Sequence, residues 1–232
     1  MSDRRVLPER LANVRDVGGL RTVDGRTLRR GRLVRCSALS TLDDAALDLL
    51  AGELPGAVYV DLRTDAEVAR DGAPDGLCAR GWRWRRMPVQ DKEPGDTSDL
   101  AEDMLRRQEA ALPRCLEVAR AVAELLRGSP VALGCTLGKD RTGLVVLVLL
   151  RWLGVHREDI VEDFMLSNTC LPGQRHLLPP SWSDPDRPIT PVLTLACTAM
   201  LDALDRTDPD PTAAAPAAAL RSSLLGEVTH AS

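Results

Sequence analysis

The stretch "GCTLGKDRTG" (134–143) places a thiol, Cys135, six positions before a guanidinium, Arg141, with Gly138, Lys139 and Asp140 between them. A short apolar run, "SPVALG" (129–134), leads in, and "TGLVVLVLLRWLG" (142–154), apolar nearly all round, leads out. The first reads as a buried strand and the second as a covered helix. A tight, Gly-containing loop between them turns backbone N–H groups inward, and the helix N-terminus adds partial positive charge, so the loop is an anion cradle. Walker A loops use the same physics, but the G-x-x-x-x-G-K-[ST] spacing is absent. The loop begins with a cysteine instead. In such a field a thiol is expected to ionise more readily than a free cysteine, whose pKa is near ~8.5, and a thiolate is a nucleophile. The planar fork of Arg141 matches phosphate oxygens. These residue types at this spacing imply a site that binds a phosphate monoester with the thiolate beneath its phosphorus. Attack would give a phosphocysteine that water then cleaves. Thr142, directly after Arg141, either donates to the departing sulfur or simply caps the helix.

A C-x5-R spacing alone is weak in an Arg-rich chain. None of the other five cysteines, Cys36, Cys78, Cys115, Cys170 and Cys197, has an arginine at that offset. They are scattered with no C-x-x-C pair, which argues against a zinc site, and against a disulfide framework in a reducing compartment. They read as buried thiols. The 232 residues suit one domain, or one domain with an appendage. The formal net charge of −4 gives no support to a nucleic-acid or anionic-membrane surface. "MSDRRVLPER" has no apolar core of a signal peptide, and the longest apolar run, "GLVVLVLL" (143–150), is too short to span a bilayer. The expectation is a cytoplasmic protein without a transmembrane segment.

The elements that must position the loop follow from periodicity. Strands are expected within 31–39, 56–63, 81–89 and 129–134. In "GWRWRRMPV" (81–89) the period of two places Trp82 and Trp84 on one sheet face. Helices are expected over 40–54, where Ser, Thr and Asp precede helix-spaced Leu and Ala, over a turn at 64–70, and over 142–154, 157–168 and 190–207. A further helix, 100–126, should be broken or kinked at Pro113. "QDKEPGDTSD" (90–99) is a loop of lid-like composition, and 174–188 is a Pro-rich loop. "DPDPTAAAPAAA" (208–219) reads as a flexible linker before a last helix at 220–228. The expected division is a phosphatase domain at 1–207 and a Pro/Ala-rich linker and tail at 208–232. Strands alternating with helices indicate an α/β fold, a small, mixed but mainly parallel sheet flanked by helices in three layers.

At these residues the chain resembles the protein tyrosine phosphatase superfamily, in particular the bacterial branch with an "HCxxGKDRTG" loop. "NVRDVGGL" (13–20) is similar to that branch's N-x-R-D-x-G-G opening, and "RGRLVRCSAL" (30–39) to its G-x-L-x-R-S-x-x-L strand. "VDLRTDAEV" (60–68) is similar to its D-L-R-x-x-x-E segment, and "GVHREDIVEDFMLSN" (154–168) to the helix after its catalytic helix. The resemblance implies that Cys135 is the nucleophile and Arg141 the phosphate clamp. It implies that Gly138 and the amides of Thr136, Leu137 and Lys139 complete the cradle. Asp140 would be the general acid, with Lys139 meeting a second anionic group. Asp61 is the alternative acid, or else the partner of Arg63, and Asp91 is a third candidate. Arg15 and Asp16 would hold the N-terminal segment against the loop, or form a surface ion pair. No metal or cofactor is implied.

The chain departs from this pattern in three places. Gly134 stands where the branch has a histidine that holds loop and thiolate. Cys36 replaces the serine of the R-S-x-x-L segment, either as a buried thiol or as a disulfide partner for Cys135. The C-terminal end, from about 170, matches poorly. The expected activity is a metal-independent phosphomonoesterase acting on phosphotyrosine protein, phosphoinositide or a small phosphorylated metabolite. The alternatives are a non-catalytic phosphate-binding module and rhodanese-like sulfur transfer, which also uses a cysteine in an anion loop.

Overall fold

A computed structural model of the chain describes residues 10–89, 99–182, 184–207, 211–212 and 215–226. In chain order the first elements are β1 (Arg15–Asp16), β2 (Leu33–Cys36), α1 (Asp44–Glu53), β3 (Val58–Asp61), α2 (Asp65–Asp71), α3 (Asp75–Cys78) and β4 (Arg83–Arg86). They are followed by α4 (Leu100–Leu125), β5 (Val131–Gly134), α5 (Asp140–Leu153), α6 (Arg157–Met165), α7 (Ser167–Gly173), α8 (Thr194–Thr207) and α9 (Ala215–Leu224). The strands form one sheet in the order β1-β2-β5-β3-β4. Only the β1–β2 pair is antiparallel, so the sheet is mixed and mainly parallel, as expected.

The sheet is covered on both faces, and strand periodicity decides which side chain goes where. Leu33, Val58, Val60, Val131 and Leu133 point into the larger core, built with α4, α5, α8 and α9. Their neighbours Val34, Cys36, Tyr59 and Ala132 point to the opposite face, into a smaller core with α1 and α3 residues Ala46, Leu47, Leu50 and Leu77. Trp82 and Trp84 both pack on this second face, as their spacing required. β4 is one of the two edge strands, and its Arg83 and Arg85 are exposed, which leaves a charged rather than a sticky edge.

Local chemistry explains the helix starts. The Asp43 carboxylate caps α1 by accepting from the Ala46 N–H. Thr64 and Glu67 form a capping box on α2. Asp99 caps α4, which runs as one helix through Pro113 rather than breaking there. α5 begins at Asp140, two residues earlier than its apolar pattern suggested, so Arg141 and Thr142 lie in its first turn. The loop 90–98, with the candidate Asp91, falls outside the described residues.

The C-terminal stretch differs from its expectation. Residues 215–219, read as linker, form the first half of α9. Ala217, Leu220 and Leu224 are buried in the larger core, and α9 packs on α4 and α5. Alanine-rich composition looked like a linker, but alanine is also the best helix former and packs closely where space is short.

Candidate active site

The registers Cys36↔Gly134, Gly134↔Asp61 and Asp61↔Arg86 align the C-terminal ends of the four parallel strands. In open parallel sheets this edge is where ligands bind. The loop 135–139 leaves β5 there and enters α5. Gly138 has φ +68°, and a Cβ on it would lie 2.3 Å from the Cys36 carbonyl oxygen, so only glycine fits. Among the described residues, the backbone N–H groups of Thr136, Leu137, Gly138 and Lys139 have no hydrogen-bond acceptor. Lys139, the N-cap residue of α5, makes no side-chain cap. Backbone donors without acceptors beside a helix N-terminus that lacks a side-chain cap are what an anion requires.

Four separate segments hold this loop in place. Asn13, at φ +53°, donates from Nδ2 to the Leu137 carbonyl at 2.8 Å. Arg35 on β2 donates from Nη2 to the Gly138 carbonyl at 2.8 Å and from Nη1 to Asp163 Oδ2 at 2.6 Å. Asp163 on α6 also accepts from Arg15 Nε at 3.2 Å, and Arg15 Nη1 donates to Asn13 Oδ1 at 2.6 Å. Arg15, Arg35 and Asp163 are all essentially buried. Burial and the neighbouring Arg35 pull Arg15 down to about 10 against the pull of Asp163, so it remains a cation at neutral pH. Asp16 is not the partner of Arg15. It accepts from the N–H groups of Gly18 at 2.7 Å and Gly31 at 2.8 Å and shapes the turn that follows.

The fourth brace is Glu67 on α2. Its carboxylate receives Arg141 Nη2 at 2.6 Å on Oε1 and Nη1 at 2.7 Å on Oε2, and the Thr136 hydroxyl at 2.5 Å. Burial pushes the Glu67 carboxyl up, but Arg141, Thr136 and the Thr64 N–H outweigh it and hold it at about 2. The Arg141 fork is thereby aimed before any ligand arrives. Cys135, Thr136, Lys139, Asp140 and Arg141 share one cavity of about 270 Å³, walled on one side by α4 and touched by Trp182 and Thr190. Cys135 is buried at its base, 3% exposed.

A family model described as the tyrosine phosphatase family matches residues 7–212. The chain belongs to the tyrosine phosphatase family. It is 31% identical over 195 residues to the triple specificity protein phosphatase PtpB of Mycobacterium tuberculosis, covering 70% of this chain and 69% of that protein. A tyrosine-protein phosphatase of Nostoc commune is 32% identical over 151 residues, covering 61% of this chain and 50% of that one. A Cupriavidus necator relative named as a tyrosine-protein phosphatase is 32% identical over 176 residues, covering 68% and 61%. The solved structure of Tk-PTP in its active form aligns with a TM-score of 0.41 at 21% identity, over 75% of this chain and 92% of that one. The family's reaction class is hydrolysis of phosphoric monoesters.

Within this cavity the expected residues separate. Asp140 is the first residue of α5, where a carboxylate is favoured. It faces the cavity, with Lys139 Nζ 2.6 Å from Oδ2. Asp61 is fully buried and turned away, forked with Arg63 (Nη2–Oδ2 2.7 Å) and accepting from Trp84 Nε1 at 3.2 Å. It is placed as the partner of Arg63. Thr142 is not the N-cap. Its hydroxyl is buried and makes no hydrogen bond, to Cys135 or to any other described residue.

The Gly134 departure has a steric counterpart. A Cβ there would lie 3.0 Å from Cys36 Sγ, from the Ser37 carbonyl oxygen and from the Tyr59 hydroxyl. The space a side chain would need is filled from β2 and β3. Cys36 is a free, buried thiol whose proton is held well above the ordinary range, first by burial and then by Cys135 and Asp61. Among the described residues, no group of three or more His, Cys, Asp or Glu could hold a metal, and no helix is long and apolar enough to cross a membrane.

Glu67, Asp163, Arg35 and Asn13 were not singled out by the sequence reading, though each lies in a segment that carried the resemblance. The signal for Glu67 was its place as the closing residue of D-L-R-x-x-x-E, where it also satisfied a capping box and so had a sufficient local explanation.

Proposed function

We propose that this chain hydrolyses phosphomonoesters through a phosphocysteine intermediate, without a metal or other cofactor. The observation that carries this is the Arg141 fork, pre-aimed by Glu67 over a loop that begins with Cys135. The Cys135 thiolate attacks phosphorus while Arg141 and the amides of residues 136–139 hold the three equatorial oxygens. The S–P bond forms as the P–O ester bond breaks, and Asp140 gives its proton to the leaving oxygen. Asp140, now a carboxylate, takes a proton from water. The resulting hydroxide oxygen bonds to phosphorus, the S–P bond breaks, and the thiolate and inorganic phosphate are released. Thr142, buried beside the loop with an unused hydroxyl, is available to donate to the returning sulfur. Lys139 keeps Asp140 at the cavity and adds positive charge for the substrate.

The substrate class is a phosphotyrosine-type group or a small phosphorylated molecule, met in the cytoplasm. The test is hydrolysis of 4-nitrophenyl phosphate by the wild type beside Cys135→Ser, in mildly acidic to neutral buffer with and without EDTA. The wild type should turn over in both buffers, and Cys135→Ser should bind phosphate but not turn over. Turnover by the serine variant near the wild-type rate would remove the covalent mechanism. An inert wild type that still binds phosphate would make the protein a phosphate-binding module.

A further inference from the structure

β4 leaves one side of the sheet unpaired. The Arg83 N–H donates to the Ala57 carbonyl at 3.0 Å and the Met87 N–H to the Asp61 carbonyl at 2.9 Å, so these residues face β3. Alternate residues of a strand turn their backbone groups the other way. Trp84 and Arg86 therefore direct their N–H and C=O groups away from β3, where no further strand lies. Among the described residues, none of these four groups has a backbone partner. The side chains beside them are also uncommitted. Arg83 and Arg85 register with Val58 and Val60 of the larger core, so both stand on the α4 face of the sheet, and both are exposed. The chain has 34 Asp and Glu against 30 Lys and Arg, yet neither guanidinium meets a carboxylate of the described residues. Arg83 reaches only the Ser129 hydroxyl, at 2.5 Å. On the opposite face Arg86 is paired with Asp65 at 2.7 Å and lies over the half-buried Trp84 ring, 5.7 Å from its centroid.

We infer that β4 is a docking edge for an extended acidic segment of a partner protein, which adds to the sheet beside it. Carbonyls of the added strand accept from the Trp84 and Arg86 N–H groups. Carboxylates at alternate positions meet Arg83 and Arg85, and the apolar residues between them lie on the Trp84 face. Main-chain bonds supply affinity in this mode, and the alternation supplies selectivity. The two arginines repel neutral or basic strands and favour acidic ones. A second copy of this chain is a poor occupant, because antiparallel pairing of β4 with itself sets arginine against arginine. β4 runs on to Val89, whose carbonyl accepts from Arg141 Nη1 at 3.4 Å, so a partner held here lies beside the cavity. The inference does not depend on the reaction at Cys135.

The probe is a labelled peptide of alternating glutamate and valine, titrated into the full chain by fluorescence anisotropy. The control peptide alternates glutamate with proline, so it has the same charge but lacks half of the N–H groups. Only the valine peptide should bind, and binding should weaken with added salt. Amide hydrogen exchange should slow at Trp84 and Arg86 when it binds. Arg83→Glu with Arg85→Glu should weaken it about tenfold or more. Arg85→Gln alone, a milder change at an exposed side chain, should weaken it in the same direction. No binding of the valine peptide overturns the inference and leaves the arginines as a guard against strand pairing. Equal binding of the proline peptide, or binding without protection of Trp84 and Arg86, overturns it as well. Affinity unchanged in both variants does the same. If a single-stranded oligonucleotide binds through Arg83 and Arg85 and the peptide does not, the edge is a phosphate-backbone surface and the inference falls.

Discussion

The guanidinium of Arg141 meets the carboxylate of Glu67 edge to edge, with two contacts of 2.6 and 2.7 Å. The pair joins the first turn of α5 to the first turn of α2, and its members are 7% and 17% exposed. A long, flexible side chain is thus held in one orientation by a carboxylate on another helix.

Glu67→Gln should therefore keep the fold and loosen the clamp. We expect kcat/KM for 4-nitrophenyl phosphate to fall by about 10- to 100-fold, the scale at which small misplacements act, with inhibition by inorganic phosphate weakening in parallel. Steady-state kinetics with a phosphate titration checks this. An unchanged inhibition constant would show that Arg141 is aimed without its partner.

The same pair gives stability a defined acid dependence. The folded-state Glu67 carboxyl is held at about 2, below the usual carboxylate value, so its contribution is fully present above about pH 4.5. It is lost progressively as pH falls towards about 2. Urea unfolding across that window should show a shallower pH dependence for Glu67→Gln than for the wild type, with the two curves parallel above pH 5.

The buried group of Arg15, Arg35 and Asp163 should be far more sensitive than any surface pair. Asp163→Ala leaves two guanidinium groups without their shared anion and should cost about 3–5 kcal/mol by urea unfolding. Arg106→Ala, which removes an exposed pair with Glu102 one turn earlier on α4, should cost under about 1 kcal/mol.

Steric reading of Gly134, which ends β5, and of Gly138 in the loop predicts different failures. Gly134→His, which restores the residue type expected by resemblance, should destabilise the protein by about 1–3 kcal/mol because Cys36 and Tyr59 occupy its space. Combining it with Cys36→Ser and Tyr59→Phe should recover part of that loss, a non-additivity visible in thermal melts. Gly138→Ala meets backbone atoms at positive φ, so no neighbouring side-chain change should rescue it.

Asp140→Asn tests the acid. The slowing should be about 10²-fold or more for phenyl phosphate, whose leaving group needs a proton, and much smaller for 4-nitrophenyl phosphate. Equal slowing of both substrates would move the acid away from Asp140. Asp61, forked with Arg63 and turned from the cavity, would be a poor successor.

Cys135, Arg141 and the strand–loop–helix around them were legible in the chain, because each depends on residues close in sequence. Apolar periodicity placed β2, β3, β4, β5, α1 and α5, and the spacing of Cys135 to Arg141 sits within a single loop. The sheet order was not legible at all, nor was the early start of α5 or the burial of α9. These depend on which apolar faces meet, and an alanine-rich stretch reads alike as linker and as helix. What only the tertiary structure decided is the support of the site. Asn13, Arg35, Glu67 and Asp163 reach the loop across 69 to 124 residues or through one another, and a charge in sequence does not say which distant charge it will meet. The same holds for Gln108, which looks like an ordinary polar site on an amphipathic helix and is 4% exposed only because α4 packs against the rest of the fold. Local chemistry is written in short spacings, whereas aim, burial and satisfaction of polar groups are properties of long-range packing.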